Sequence, residues 1–297
     1  MQDTPKERTA AGPAWKTKLA PGLYFVATPI GSARDITLRA LDILASADVL
    51  AAEDTRTARK LMEIHGVALG DRQLIAYHDH NGPAQRPRLL RALAEGKSVA
   101  YVSEAGTPLV ADPGFPLGRA ALEAGAQVFA APGASAVLAA LTVSGLPSDR
   151  FLFAGFPPPA AGARKTWLAE LAQVQATIIL YESPKRINRL LTDVVAVCGG
   201  DRQIAVCREL TKRFEEVLRG PAADVLALLE GRSLKGEVVV VIDRGGPVAV
   251  DDETVEDALR DALKTMRVKE ASNMVADRLD LPRRDVYQRA LALGRDD

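Results

Sequence analysis

The residues best equipped for chemistry fall in five short clusters in the first half of the chain. They are Thr28-Pro29-Ile30-Gly31, Glu53-Asp54-Thr55-Arg56, His78-Asp79-His80-Asn81, Ser103-Glu104-Ala105-Gly106-Thr107-Pro108 and Pro132-Gly133-Ala134-Ser135-Ala136, with Asp112-Pro113-Gly114 just beyond the fourth. Carboxylates such as Asp54 can take up a proton or hold a cation. Glycines such as Gly106 and Gly133 let the backbone approach a ligand closely. The two imidazoles of His78 and His80 could bind a metal, but alternate residues on an extended chain point opposite ways. With no further Cys or His beside them, no metal is expected.

The elements that must position these clusters can be read from periodicity. Apolar β-rich runs over Leu23–Thr28, Val49–Glu53, Leu74–His78, Val99–Ser103 and Val128–Ala131 alternate with helical patterns near 35–46, 56–65, 84–95 and 116–124. That alternation predicts βαβ units and a mainly parallel sheet. Right-handed crossovers then bring all the strand ends to one edge. Open α/β sheets bind ligands there, so the five clusters are expected to form one site. A second unit has strands over Phe151–Phe156, Thr177–Tyr181, Ile204–Cys207 and Val238–Ile242, with Phe214–Leu218 as an antiparallel addition. Its helices are expected near 135–145, 163–173, 184–196 and 221–230. The run Gly155–Gly162 is too proline-rich for a helix or central strand and reads as a loop or lid.

The expected domains are a disordered leader over 1–21, an α/β domain over 22–133, a second α/β domain over 134–245 and a helical module over 252–297. The linker is the polar run RGGPVAVDDE. Val255, Leu259, Leu263 and Met266 follow helical spacing, and Pro282 suits the start of a last helix carrying Arg283, Arg284 and Arg289. This module resembles a helix-turn-helix unit that contacts RNA or packs a dimer.

Composition narrows the class without choosing within it. Apolar residues make up 47% and charged residues 26% of 297, the profile of a soluble globular protein. No apolar run reaches the ~20 residues of a membrane helix and the N-terminus lacks a signal-peptide core, so no membrane association is expected and the location is read as cytoplasmic. Lys plus Arg equals Asp plus Glu at 38 each, so no global basic field marks a nucleic-acid binder. Cys198 and Cys207 read as small apolar residues. Neither a Gly-x-Gly-x-x-Gly loop, a Walker A sequence nor a Ser-His-Asp elbow is present.

Several segments carry a resemblance: TPIGSARDITLRALDIL, AAEDTRTARKLM, HDHN, SEAGTPLVADPG, PGASA, LPSDRFLFAGF, YESPKRI and RELTKRFEEVLRG. In this order they resemble the bacterial 16S ribosomal RNA cytidine-2′-O-methyltransferase I family, a branch of the tetrapyrrole methylase superfamily. The match runs from about Leu23 to Ile242, and the tail is similar to that family's C-terminal module. The resemblance implies a two-domain tetrapyrrole-methylase-like α/β fold, with a parallel sheet in the N-terminal domain and a mixed sheet in the second. It also implies S-adenosyl-L-methionine in a cleft between the domains, a homodimer, and 16S ribosomal RNA in the small ribosomal subunit as partner. The reaction would be methylation of a ribose 2′-hydroxyl on a decoding-centre cytidine.

Carried over position by position, the cofactor contacts implied are Pro29, Ala105, Gly106, Thr107, Val110, Ser135, Ala136, Glu182 and Leu210. Thr107 stands where tetrapyrrole enzymes have Asp, and Glu182 where they have Met, which argues for the RNA branch. Ser32 and Glu104 stand where that branch usually has Asn and Asp. Asp54, Glu209 and Lys212 are candidates near the cleft, with Asp54 or Lys212 favoured as catalytic residues close to the ribose. Arg56, Arg208, Lys212 and Arg213 are expected to grip RNA phosphates. The competing readings are a small-molecule methylase on the same fold and a non-catalytic RNA-binding assembly factor.

Overall fold

The computed structural model describes residues 17–245, 252–279 and 281–293. Two five-stranded sheets organise the chain. The first contains β1 (Gly22–Val26), β2 (Val49–Ala52), β3 (Gln73–Ala76), β4 (Ser98–Val102) and β5 (Val128–Ala131). Every pairing is parallel, in the order β3-β2-β4-β1-β5. The three central strands are buried along their whole length, as expected of parallel strands covered on both faces. The covering helices are α1 (Leu38–Ser46), α2 (Thr55–Ile64), α3 (Gly82–Ala94) and α4 (Phe115–Glu123). α1 starts at Thr37, whose hydroxyl accepts from the Ala40 amide, and α2 starts at Asp54, whose carboxylate accepts from Arg56 N and Thr57 N.

The expected leader begins in part outside the described residues. Of its described end, Leu19 packs against the first core, and the Tyr24 hydroxyl donates to Ala20 O at 2.9 Å. The domain edge therefore extends to residues before Gly22.

The second sheet is mixed, in the order β6-β7-β10-β8-β9. β6 (Phe151–Gly155) runs parallel to β7 (Thr177–Glu182). β10 (Val238–Ile242) lies antiparallel between β7 and β8 (Gln203–Arg208), and β9 (Glu216–Pro221) pairs antiparallel with β8. α6 (Ala161–Ala172), α7 (Ile187–Cys198) and α8 (Ala222–Leu229) cover one core. The other core joins the domains. α5 (Ala136–Ser144) follows β5 in the chain, yet Val137, Ala140 and Leu141 pack with Ile179, Ala205 and Val241 of the second sheet.

The described part of the tail comprises α9 (Asp252–Leu263), α10 (Val268–Leu279) and α11 (Arg283–Leu293). Val255, Leu259, Ala271, Val275, Val286 and Ala290 form a separate small core. Most of the linker expected between Arg244 and Glu253 lies outside the described residues, though Asp252 and Glu253 already belong to α9. No described helix is long and apolar enough to cross a membrane.

Candidate functional site between the two domains

Strand order decides which of the clusters meet. β2, β4, β1 and β5 are neighbours, so the loops after them share one edge, whereas β3 forms the sheet edge opposite β5. The loop after β4 is the most constrained. Its Gly106 exchanges both backbone hydrogen bonds with Thr28, at 3.0 Å each, and the buried Ser103 hydroxyl donates to Gly106 O at 2.6 Å. Thr107 Oγ1 donates to Ala134 O at 2.9 Å, tying this loop to the one after β5. Gly106 has φ +82°, and the same loop holds Leu109 and Ala111 at φ 71° and 58°, conformations that cost a side-chain-bearing residue energy. Asp112 closes the loop by accepting from Tyr101 Oη at 2.8 Å and Gly114 N at 2.7 Å, which leaves its other oxygen buried and unpartnered.

The second domain supplies the opposite wall. Antiparallel register sets Val238 across from Glu182 on one side and Arg208 on the other, so the start of β10 and the ends of β7 and β8 coincide. Glu182 is 4% exposed. Its Oε1 accepts from Ser183 N at 2.7 Å and pairs with Arg186 Nε at 3.2 Å, while Oε2 is buried with no partner. A buried acceptor without a donor costs free energy unless a ligand supplies one. Gly236 has φ +91°, and a β-carbon there would stand 2.3 Å from the Glu209 carboxyl group. That closeness lets Glu209 Oε1 accept from Glu237 N at 3.0 Å and hold the lip of the wall.

Between these walls lies a cleft of about 450 Å³, within the roughly 300–1,000 Å³ of small-molecule sites. Ile30, Val110, Phe156, Tyr181, Val238 and Val239 give it apolar surface, and Glu53, Glu104, Asp112, Glu182 and Glu237 give it carboxylates. Burial pushes the Glu53 carboxyl above its usual range, helped by the charges of Asp112, Glu104 and Asp79 and opposed by the hydrogen bond from Glu104 N. Burial likewise raises Asp112. Glu53 and Asp112, half-buried beside the exposed Glu104, favour a cationic ligand group that would relieve both. At the start of α5, Ser135 makes no side-chain cap, and with the Val137 amide directed at the Tyr181 hydroxyl it is the Ala136 amide beside the cleft that faces an anionic group.

Of the residues singled out in the sequence, Ala105, Gly106, Thr107, Val110, Ser135, Ala136 and Glu182 line this cleft. Pro29 lines a neighbouring groove instead, and Leu210 is 7% exposed inside the core that joins the domains. Asp54 and Lys212 do not line it. Asp54 caps α2, and the Arg56 hydrogen bond holds its carboxyl below the usual range. Burial alone would lower the Lys212 ammonium, but hydrogen bonds to Glu209 and Glu237, 3.0 Å each, keep it above its ordinary value. Both are thereby poor proton acceptors. Arg208 pairs with Glu216 at 3.3 Å, Arg213 lies 5.5 Å over the Phe214 ring, and Arg56 is exposed, paired with its neighbour Asp54.

The His78–Asn81 cluster does not line the cleft, which corrects the expectation of one site from five strand ends. Its Asn81 side chain closes the turn after β3, accepting from His78 N and donating to Ala76 O. Among the described residues no group of three or more His, Cys, Asp or Glu is placed to hold a metal. Cys198 and Cys207 are both free thiols, and burial pushes the Cys207 thiol up to about 11. Glu53 lines the cleft from within its strand-end cluster, while Phe156, Tyr181, Pro184 and the Gly236–Val239 segment line it without having been singled out. Glu53 was one residue from a chosen one; the others became visible only through the pairing of β7 with β10.

The family model described as Tetrapyrrole (Corrin/Porphyrin) Methylases matches residues 22–226, and one described as RsmI C-terminal HTH domain matches residues 249–294. A ribosomal RNA small subunit methyltransferase I of Mesorhizobium japonicum is 45% identical over 278 residues, covering 93% of each chain. The protein of that name from Vibrio cholerae is 42% identical over 274 residues, 91% of this chain and 94% of its own. Among solved structures, uroporphyrin-III-C-methyltransferase from Thermus thermophilus superposes with a TM-score of 0.53 at 23% identity, covering 74% of this chain and 94% of that one. A cobalt precorrin-4 methyltransferase gives 0.57 at 18% identity, again over 74% and 94%. Those two share the fold; the sequence matches go further and run through the cleft-lining loops of both domains. This chain belongs to the tetrapyrrole (corrin/porphyrin) methylase family, within its ribosomal RNA small subunit methyltransferase I branch, and is a methyltransferase.

Proposed function

We propose that this protein uses S-adenosylmethionine to methylate the ribose 2′-hydroxyl of a decoding-centre cytidine in 16S ribosomal RNA. The observation that carries the reading is the cleft itself. Acidic groups stand after β2 and β4, a helix N-terminal amide at the start of α5, and a buried unpartnered carboxylate oxygen on the far wall. S-adenosylmethionine has a cationic sulfonium and ammonium, a carboxylate, and hydrogen-bond donors on its nucleoside, so each feature has a matching group.

When bound, the cofactor supplies an electrophilic methyl on sulfur. Glu53 and Asp112 would balance its positive charge, and the Ala136 amide at the start of α5 would hold its carboxylate. Gly106 and Thr107 would set its depth, because the Thr28 and Ala134 bonds fix that loop rigidly. Glu182 Oε2 would accept a hydrogen bond from it. Fixing the donor leaves only the acceptor oxygen to be aligned, and alignment is worth up to ~7–11 kcal/mol in well-oriented reactions. The names of the relatives support ribosomal RNA of the small subunit as acceptor. The same reading carries a cytoplasmic homodimer.

The test is incubation of purified protein with methyl-labelled cofactor and small ribosomal subunits, followed by mapping of the label. Label on the 2′-oxygen of one cytidine of the 16S RNA is expected. Transfer to a tetrapyrrole but to no RNA would overturn the assignment.

A further inference from the structure

A second depression of about 150 Å³ lies beside the cleft, between the Pro29–Ala33 segment and α2. Four α2 residues line it, Thr57, Lys60, Leu61 and Ile64, whose spacing puts them in one stripe along the helix. Leu61 is 8% exposed and forms a floor, whereas Ile64 is 55% exposed at its rim. Pro29 faces them from the other side. His65 holds the two walls at a fixed spacing through a 2.8 Å hydrogen bond between its Nε2 and Ala33 O. Glu104 lines both the groove and the cleft, so the two spaces border each other at this residue.

Resting on the reading of this protein as an RNA ribose methyltransferase, the geometry points to this groove as the seat of the methyl-accepting nucleotide, with the Glu104 carboxylate beside the reacting hydroxyl. A donor held in the cleft can meet an acceptor only in a second binding space beside it, and the groove borders the cleft at Glu104. The apolar stripe of Leu61 and Ile64 with Pro29 offers the face of a splayed-out RNA base an apolar surface to cover. Lys60 on the wall makes no ion pair or hydrogen bond among the described residues and suits a phosphate. Arg34 and Arg59 are exposed close by in the chain, but so are Asp35 and Glu63, so the local field is weak. Contact and shape therefore dominate here, and the salt dependence of this subsite is shallow. In the transfer, the hydroxyl oxygen forms its bond to the methyl carbon as the carbon–sulfur bond breaks. The electron pair stays on sulfur as a neutral thioether, and the hydroxyl proton passes to the Glu104 carboxylate.

The test compares wild type with Lys60→Glu, Ile64→Asp and Glu104→Gln, all substitutions of exposed side chains. Thermal unfolding checks that each variant folds. The first two are expected to raise KM for small subunits at least tenfold while S-adenosylmethionine affinity, measured by calorimetry, stays within twofold. Glu104→Gln is expected to lower kcat by ~10²–10⁴ with KM little changed. Wild-type KM in both groove variants, with wild-type RNA methylation intact, overturns the groove alone. Wild-type kcat in Glu104→Gln overturns the proton role. A wild-type protein that binds cofactor but methylates no RNA overturns the reading beneath both.

Discussion

Gly106 sits where the first domain's most constrained loop meets the cleft, and its conformation explains why the position takes glycine. At φ +82° a side chain is strained, and a β-carbon would approach Ile30 Cγ2 to 3.3 Å. Gly106→Ala should destabilise the protein by about 1–2 kcal/mol, since a left-handed backbone costs an L-residue that much. Gly106→Val should in addition push Ile30 into the cleft and lower S-adenosylmethionine affinity tenfold or more. Denaturant unfolding reads the first and calorimetry the second; a folded valine variant with undiminished affinity would mean that the loop does not shape the binding space. The glycine was visible in the sequence. The strain at Leu109 and Ala111 was not, because a positive φ at a residue bearing a side chain is set by how the folded loop closes, which no residue type there announces.

The proline-rich stretch after β6 was legible as a loop, since proline lacks the amide that a helix or sheet ladder needs. What holds it was not legible. Its backbone offers carbonyls, and two arginines from different helices take them: Arg186 Nη2 donates to Pro157 O at 2.7 Å, and Arg164 Nη1 donates to Pro159 O at 3.0 Å. Arg164 is 5% exposed and also pairs with the buried Asp193 at 2.6 Å, while Arg186 pairs with Glu182 on the cleft wall. The loop is thus a strap fastened to the binding site and not a freely swinging lid. Arg164→Met should cost about 3–5 kcal/mol, because it strands the Asp193 carboxylate in the interior with only Lys165 at 3.7 Å. Adding Asp193→Leu should recover most of that loss, since the buried charge goes with it. Urea unfolding of both variants decides this, and a single variant within 1 kcal/mol of wild type would show the pair to be idle.

At the scale of the whole molecule, the tail stands apart because its helices bury their own core. Ending the chain at Asp251 should leave a folded body with unchanged cofactor affinity and much reduced methylation of small subunits. Lys269, Arg278 and Arg284 remain unpaired among the described residues, but Lys264 and Arg283 are neutralised by Asp261 and Asp277, so weakened affinity is expected and not complete loss. Solution mass, calorimetry and methylation together separate the two roles of the tail: a truncated protein that becomes monomeric marks a dimer brace, and one that methylates at full rate excludes the RNA role. The sequence by itself determined the alternation of strand and helix, the content of each strand end and the separateness of the tail. Those are local properties: residue periodicity states which face of an element is buried, and glycine, proline and acidic residues mark turns wherever they occur. Only the tertiary structure decided that β3 lies at the sheet edge opposite β5 and takes His78–Asn81 out of the cleft, and that β10 enters between β7 and β8, bringing Gly236–Val239 against Glu182. It also buried Leu210 and tied Lys212 to two glutamates. Strand order and register rest on contacts between segments far apart in the chain, summed over the whole core, and no short stretch of sequence carries that sum.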